Sequence, residues 1–238
     1  VQFDPTGGSS TGARVSATGA RGAITRIALE RWQMTVARRS AEARATIPDL
    51  ELEVEVDAEP LSATCKRSGV SRTAALVRAC AIALREHPIA NGAYRDGAAE
   101  LHERINVGVL MAAAGRHLVA TVFDADTKPL RTLHRELTEL ETAAADGTLG
   151  APALGGATFT LWDLEKLGIA RAAPLVTPGQ AAALAAGTVR QMTRVRDGSV
   201  FAASVLTATL ASDHRILYGA QAAAFLLSIK RHLEEDAQ

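Results

Sequence analysis

One histidine stands where a base would be useful. The stretch Leu206-Thr-Ala-Thr-Leu-Ala-Ser-Asp-His-Arg-Ile-Leu-Tyr-Gly219 runs as an apolar strand straight into His214, and then into a glycine and an Ala-rich helix. A histidine at the end of a buried strand has the placement of a general base at the mouth of a cleft, because an imidazole changes charge close to neutral pH. The alternative is a core or interface histidine satisfied by hydrogen bonds.

Other chemistry-bearing residues read differently. Glu51, Glu53 and Glu55 alternate with Leu50, Leu52, Val54 and Val56, so they form the wet face of a strand, or a face towards a partner, and not a catalytic cluster. His87, His102, His117 and His232 fall at turn or surface positions, and His134 lies beside an apolar helical stripe. No pair has metal-ligand spacing, so no metal is expected. Cys65 and Cys80 are too few for a disulfide scaffold and sit in helix-like contexts. The chain carries neither a phosphate-binding Gly-rich loop nor a nucleophile elbow.

The elements that must position His214 follow from periodicity. Residues 1–22 are rich in Gly, Ser, Thr and Ala and predict a flexible tail. A helix is expected from Ala23 to about Arg44, closed by Ile47-Pro48, then a strand over Leu50–Val56. Ser71 is a good N-cap for a helix ending at His87-Pro88. Asn91-Gly92 and Asp96-Gly97 mark turns, Ile105–Met111 and Leu118–Phe123 read as strands, and Leu130, Leu133, Leu137, Leu140 and Ala144 define an amphipathic helix. After a loop over Gly147–Gly156 comes a short strand, Ala157–Leu161, and an irregular stretch to Gly179. Ala181–Val195 and Val200–Ala211 flank Arg196-Asp-Gly-Ser199, the strongest hairpin signal in the chain. A last helix runs from about Tyr218 to Glu234. These elements predict one α/β domain over residues 23–238, with a mixed sheet packed against helices.

Bulk properties exclude several classes. Of 238 residues, 47% are hydrophobic and 22% charged, as expected of a globular domain. Lys+Arg and Asp+Glu are both 26, so the chain lacks the basic footprint of a general nucleic-acid binder. No apolar run reaches the ~20 residues of a membrane-spanning helix. With no signal peptide at the start, the expected location is cytoplasmic.

The order of these stretches resembles the catalytic domain of the dihydrolipoyl acyltransferases of 2-oxo acid dehydrogenase complexes, whose fold is shared with the chloramphenicol acetyltransferases. The resemblance covers roughly Ile27 to Glu235. It rests on Thr35-Val-Ala-Arg-Arg39 through Thr46-Ile-Pro48, Ile105-Asn-Val-Gly108, Asp124-Ala-Asp126, Gly156-Ala-Thr-Phe-Thr160, Pro174-Leu-Val-Thr-Pro178 with Gln180-Ala-Ala182, and Ser212-Asp-His-Arg215 with Gly219-Ala-Gln-Ala222. It implies a homotrimer with active sites between subunits, an acyl-coenzyme A co-substrate such as acetyl-CoA, and a small-molecule acceptor or a lipoyl domain. His214 matches the family's catalytic histidine. Asn106 and Gly108 would line the substrate channel, although Gly108 equally suits close strand packing. Asp213 and Arg215 would orient the loop or meet the neighbouring subunit, or form a structural ion pair.

Two positions depart from the family pattern. Tyr218 replaces the Asp of His-x-x-x-Asp-Gly, and Trp162 stands where the family has the Ser or Thr that supports the oxyanion. By the period-two rule Thr158 and Thr160 share a strand face with Trp162 and are candidates to replace the missing hydroxyl. Trp162 itself either shapes the acceptor pocket or packs in the core. These departures favour a stand-alone acyl-CoA-dependent transferase acting on a hydroxyl acceptor, as relatives in natural-product pathways such as tetronate biosynthesis do. The first alternative is the acyltransferase core of a 2-oxo acid dehydrogenase complex, and the second a non-catalytic trimeric scaffold.

Overall fold

A computed structural model describes residues 16–20, 22–113 and 116–235. In chain order the strands are β1 (Ser16–Gly19), β2 (Gly22–Thr25), β3 (Asp49–Asp57), β4 (Gly92–Arg95), β5 (Ala98–Leu101), β6 (Val107–Ala113), β7 (Arg116–Val122), β8 (Phe159–Asp163), β9 (Ala182–Ala186), β10 (Arg190–Arg196) and β11 (Ser199–Asp213). The helices are α1 (Arg31–Thr46), α2 (Ala58–Ser68), α3 (Arg72–Glu86), α4 (Leu130–Ala145) and α5 (Gly219–Glu234).

Seven strands form one mixed sheet in the order β10-β11-β9-β8-β6-β7, with β3 on the other edge of β11. The pairs β6–β8 and β8–β9 are parallel and the rest antiparallel. Alternation decides which side each residue faces. Phe159 and Leu161 of β8, Leu184 of β9 and Leu206, Ala208 and Leu210 of β11 join Leu76, Leu84, Leu133, Leu137 and Phe225 in one buried core under α2 to α5. Phe159 and Phe225 meet edge to face at 5.8 Å. Thr160 and Trp162 therefore face the other side. There a smaller cluster of Ala43, Ile47, Val176 and Ala211 clamps the end of α1 and the 174–178 segment onto β11.

Local chemistry sets most boundaries. Ser71 caps α3 by accepting from the Ala74 N–H at 3.2 Å, as the sequence predicts. Asp57 caps α2 in the same way through Glu59 N–H at 3.0 Å, and Gly69 ends it in the left-handed region. The sequence does not predict α2, because only Ala58, Leu61 and Thr64 face inward and no apolar stripe announces it. The helix predicted from Ala23 begins at Arg31 instead. A capping box between Glu30 and Gln33 starts it, and Gly22–Thr25 pairs with Ser16–Gly19.

That ribbon replaces part of the tail predicted over residues 1–22; residues 1–15 and 21 lie outside the described residues. Gly22, at φ 81°, permits its tight turn. The strand predicted from Ala181 to Val195 breaks at Gly187, where the pairing with β11 slips by one residue. A Cβ there would sit 1.9 Å from the Ala170 carbonyl oxygen. The Arg196–Ser199 hairpin is present as predicted, with Asp197 and Gly198 both at positive φ.

Candidate active site

β11 is fifteen residues long and delivers its C-terminal end, Asp213, to a tight turn. Three backbone anchors hold that turn. Asp213 N–H donates to Ala181 O at 2.8 Å, His214 N–H donates to Pro48 O at 3.0 Å, and Leu217 N–H closes back on Asp213 O at 2.9 Å. The Asp213 side chain is 1% exposed and accepts from Arg215 Nε at 2.8 Å, Nη2 at 2.6 Å and backbone N–H at 3.1 Å. A carboxylate that deeply buried requires such a partner. The pairing also pushes the Arg215 guanidinium above its ordinary value, chiefly through the Asp213 hydrogen bond. The Cζ of that guanidinium lies over the Tyr94 ring, 4.0 Å from its centroid.

His214 itself is exposed. Among the described residues its imidazole makes no hydrogen bond, and its ring contact is an edge-to-face approach to Tyr218 at 5.9 Å. It is therefore not the hydrogen-bonded core histidine of the alternative reading. Tyr218 N-caps α5 without a side-chain capping bond, and its hydroxyl donates to Arg215 O at 3.2 Å. The phenol closes the turn.

The threonines proposed to replace the missing hydroxyl are already engaged. Thr160 donates to Gln180 Oε1 at 2.7 Å, and Gln180 Nε2 donates to Ala157 O at 2.9 Å. Thr158 accepts from Asn106 N–H at 3.0 Å and donates to Asn106 O at 3.2 Å. Both are buried. Asn106, expected by resemblance to line the channel, braces the surrounding loops: Nδ2 donates to Gly156 O at 2.9 Å and Oδ1 accepts from Asp124 N–H at 3.0 Å. Gly108 serves packing, since a Cβ there would lie 2.7 Å from Val119 Cγ1 and 2.9 Å from Ala157 Cβ. Trp162 is half-buried, opposite Ala185 on β9, and its indole N–H has no hydrogen-bond partner among the described residues.

Other reactive groups are quiet. Burial pushes the Cys80 thiol up to about 12 and raises that of Cys65 as well. His134 Nδ1 accepts from Ser71 N–H at 3.2 Å. No group of three His, Cys, Asp or Glu among the described residues could hold a metal ion, and none of their helices is long and apolar enough to cross a membrane. Neither Gln180 nor Tyr94 is among the site residues that the sequence predicts. Each reaches its partner only through tertiary structure, so no local spacing marks it.

Comparison with known proteins adds to this geometry. Residues 21–238 match the family described as 2-oxoacid dehydrogenases acyltransferase (catalytic domain). The acetyltransferase component of the pyruvate dehydrogenase complex of Rickettsia felis, named for a dihydrolipoyllysine residue, is 27% identical over 212 residues. That alignment covers 85% of this chain and 52% of the relative, so the chain spans about half the length of that curated relative. The dihydrolipoamide acetyltransferase of Azotobacter vinelandii superposes with a TM-score of 0.83 at 25% identity, over 90% of this chain and 93% of its own. A serine, a histidine and an asparagine have been investigated there for their roles in the catalytic mechanism. Their separations along that chain equal those of Trp162, His214 and Tyr218 here. The cubic core of a pyruvate dehydrogenase multienzyme complex superposes at 0.83 and 26% identity, over 91% of this chain and 94% of its own. A chloramphenicol acetyltransferase, at 0.53 and 16% over 92% of this chain and all of its own, shares the fold.

These relatives overturn the expectation of a stand-alone natural-product transferase with a hydroxyl acceptor. That expectation rests on the two departures from the family pattern, Trp162 and Tyr218. Tyr218 folds onto its own turn, and Trp162 lies opposite the small Ala185, so neither requires a different substrate class.

Proposed function

Because the chain belongs to the acyltransferase catalytic-domain family of the 2-oxoacid dehydrogenases, we propose that it moves an acetyl group between coenzyme A and a dihydrolipoyl thiol. This is the work of the core of a pyruvate dehydrogenase type of complex. The observation that carries the reading is His214, an exposed imidazole with no hydrogen bond among the described residues, on a turn fixed by buried anchors. Its chain separations match those of the residues investigated in the Azotobacter enzyme.

In this reading His214 takes the proton from the attacking thiol as the thiolate forms its bond to the thioester carbonyl carbon. The tetrahedral intermediate then collapses, the carbon–sulfur bond to the leaving thiolate breaks, and that thiolate recovers the proton from the imidazolium. The developing oxyanion needs a donor, and losing one costs ~10²–10³ in rate. With the Thr158 and Thr160 hydroxyls engaged, the Trp162 indole N–H is the donor we assign.

The acceptor would arrive on a lipoyl domain, and the working unit would be a homotrimer with sites between subunits. Support for the trimer comes from α1, which buries only Ala43 and leaves Met34 and Val36 exposed beside Ile27 and Leu29.

The test supplies acetyl-CoA and dihydrolipoamide and follows both free coenzyme A and S-acetyldihydrolipoamide. The two should appear together and fall together, by ~10²–10⁴, in His214→Ala. A second reading, a scaffold that keeps the fold without the chemistry, draws on the tryptophan at the serine's position. Absence of product together with absence of calorimetric coenzyme A binding would establish that reading instead.

A further inference from the structure

Tyr94 lies on β4, far in sequence from His214. Its hairpin is a firm platform: Asn91, 2% exposed, donates through Nδ2 to His102 O at 2.9 Å and Arg104 O at 3.0 Å. At Gly92 a Cβ would lie 2.7 Å from Glu100 O, so the two strands are locked close together. From this platform the Tyr94 ring lies under the Arg215 guanidinium, whose Cζ is 4.0 Å from the ring centroid.

Arg215 grips both oxygens of Asp213, and His214 is the residue between them. The Arg215 side chain is 29% exposed, so water competes for its outer side. An aromatic face there shields the guanidinium and holds its plane. Resting on the reading of His214 as the base, we propose that Tyr94 is a positioning residue for His214. By stacking on Arg215 it keeps the guanidinium locked on Asp213, and so holds the turn that presents the imidazole.

The ring, not the hydroxyl, performs this task, which separates two variants. In the full chain, Tyr94→Phe should retain acetyl transfer, whereas Tyr94→Leu should lower kcat about tenfold with little change in KM for acetyl-CoA. Amide hydrogen exchange at His214, Ile216 and Leu217 should quicken in Tyr94→Leu and not in Tyr94→Phe, while the two variants melt at the same temperature. Wild-type kcat and wild-type exchange in Tyr94→Leu, or equal impairment of both variants, would overturn the proposal. If the unmodified protein transfers no acetyl group, the reading of His214 falls, and the exchange comparison still decides whether Tyr94 holds the turn.

Discussion

Thr160 gives its hydroxyl proton to Gln180 Oε1 across 2.7 Å, inside a sheet face that excludes water from both side chains. The bond ties β8 to the segment entering β9. It also fixes the direction of a donor that the sequence alone would leave free for a reacting oxygen. Thr160→Val keeps the shape and leaves Gln180 Oε1 buried without that donor, a defect that costs about 1–3 kcal/mol. Urea unfolding should show a lower midpoint at unchanged slope.

His214→Ala removes the proposed base and nothing that holds the fold, because the imidazole is exposed and makes no hydrogen bond among the described residues. Turnover with acetyl-CoA and dihydrolipoamide should fall by ~10²–10⁴, as expected for loss of general acid–base catalysis. The melting temperature should stay that of the parent. A variant with undiminished turnover would sink the mechanism.

Trp162→Phe preserves an aromatic ring and deletes the indole N–H. If that N–H meets the oxyanion, kcat should drop by ~10²-fold with KM for acetyl-CoA little altered, since the interaction arises mainly in the transition state. Equal kcat in the two proteins would move the donor elsewhere.

Gly187→Ala places a Cβ against the backbone of Ala170, where no side chain can swing aside. The same residue accepts from Arg72 Nη2 at 2.6 Å and donates to Thr207 O at 2.8 Å, so the strand cannot shift without losing both bonds. A loss of about 3 kcal/mol or more is expected from this overpacking, seen as a markedly lower melting temperature.

Glu86 sits at the end of α3 and accepts from Ser228, Arg231 and His232 of α5. The Ser228 hydrogen bond first, then His232 and Arg231, hold its carboxyl below the ordinary range against the opposing effect of burial. A depressed folded-state value contributes stability that is present above the unfolded carboxyl's titration and is lost as pH falls through the folded one. Glu86→Gln should therefore lower stability at neutral pH and flatten its acid limb. Because the side chain is 37% exposed, solvent screening keeps the effect under about 1 kcal/mol. Melting temperatures measured from neutral to acid pH would read it.

Much of this molecule is written in local pattern. The alternation of β3, the Ser71 cap, the stripe of α4 and the Asp197-Gly198 turn each arise within a few residues, so periodicity and backbone chemistry determine them without help from the rest of the chain. His214 was legible for the same reason, as a histidine closing an apolar strand in a motif of fixed order. The helix start at Arg31, the hidden α2 and the break at Gly187 were not legible, because a capping box, a thin buried stripe and the carbonyl of Ala170 override the hydrophobic count.

What only the tertiary structure decided is the state of each site side chain. Hydroxyls and amides look available in a sequence because every partner they have is distant. Gln180 reaches Thr160 across 20 residues and Asn106 reaches Thr158 across 52. Folding uses up those donors and leaves His214 and the Trp162 indole N–H without hydrogen-bond partners among the described residues. The motif alone singled out the histidine proposed as the base; the long-range bonds decided which of the other candidate side chains still have a proton to offer.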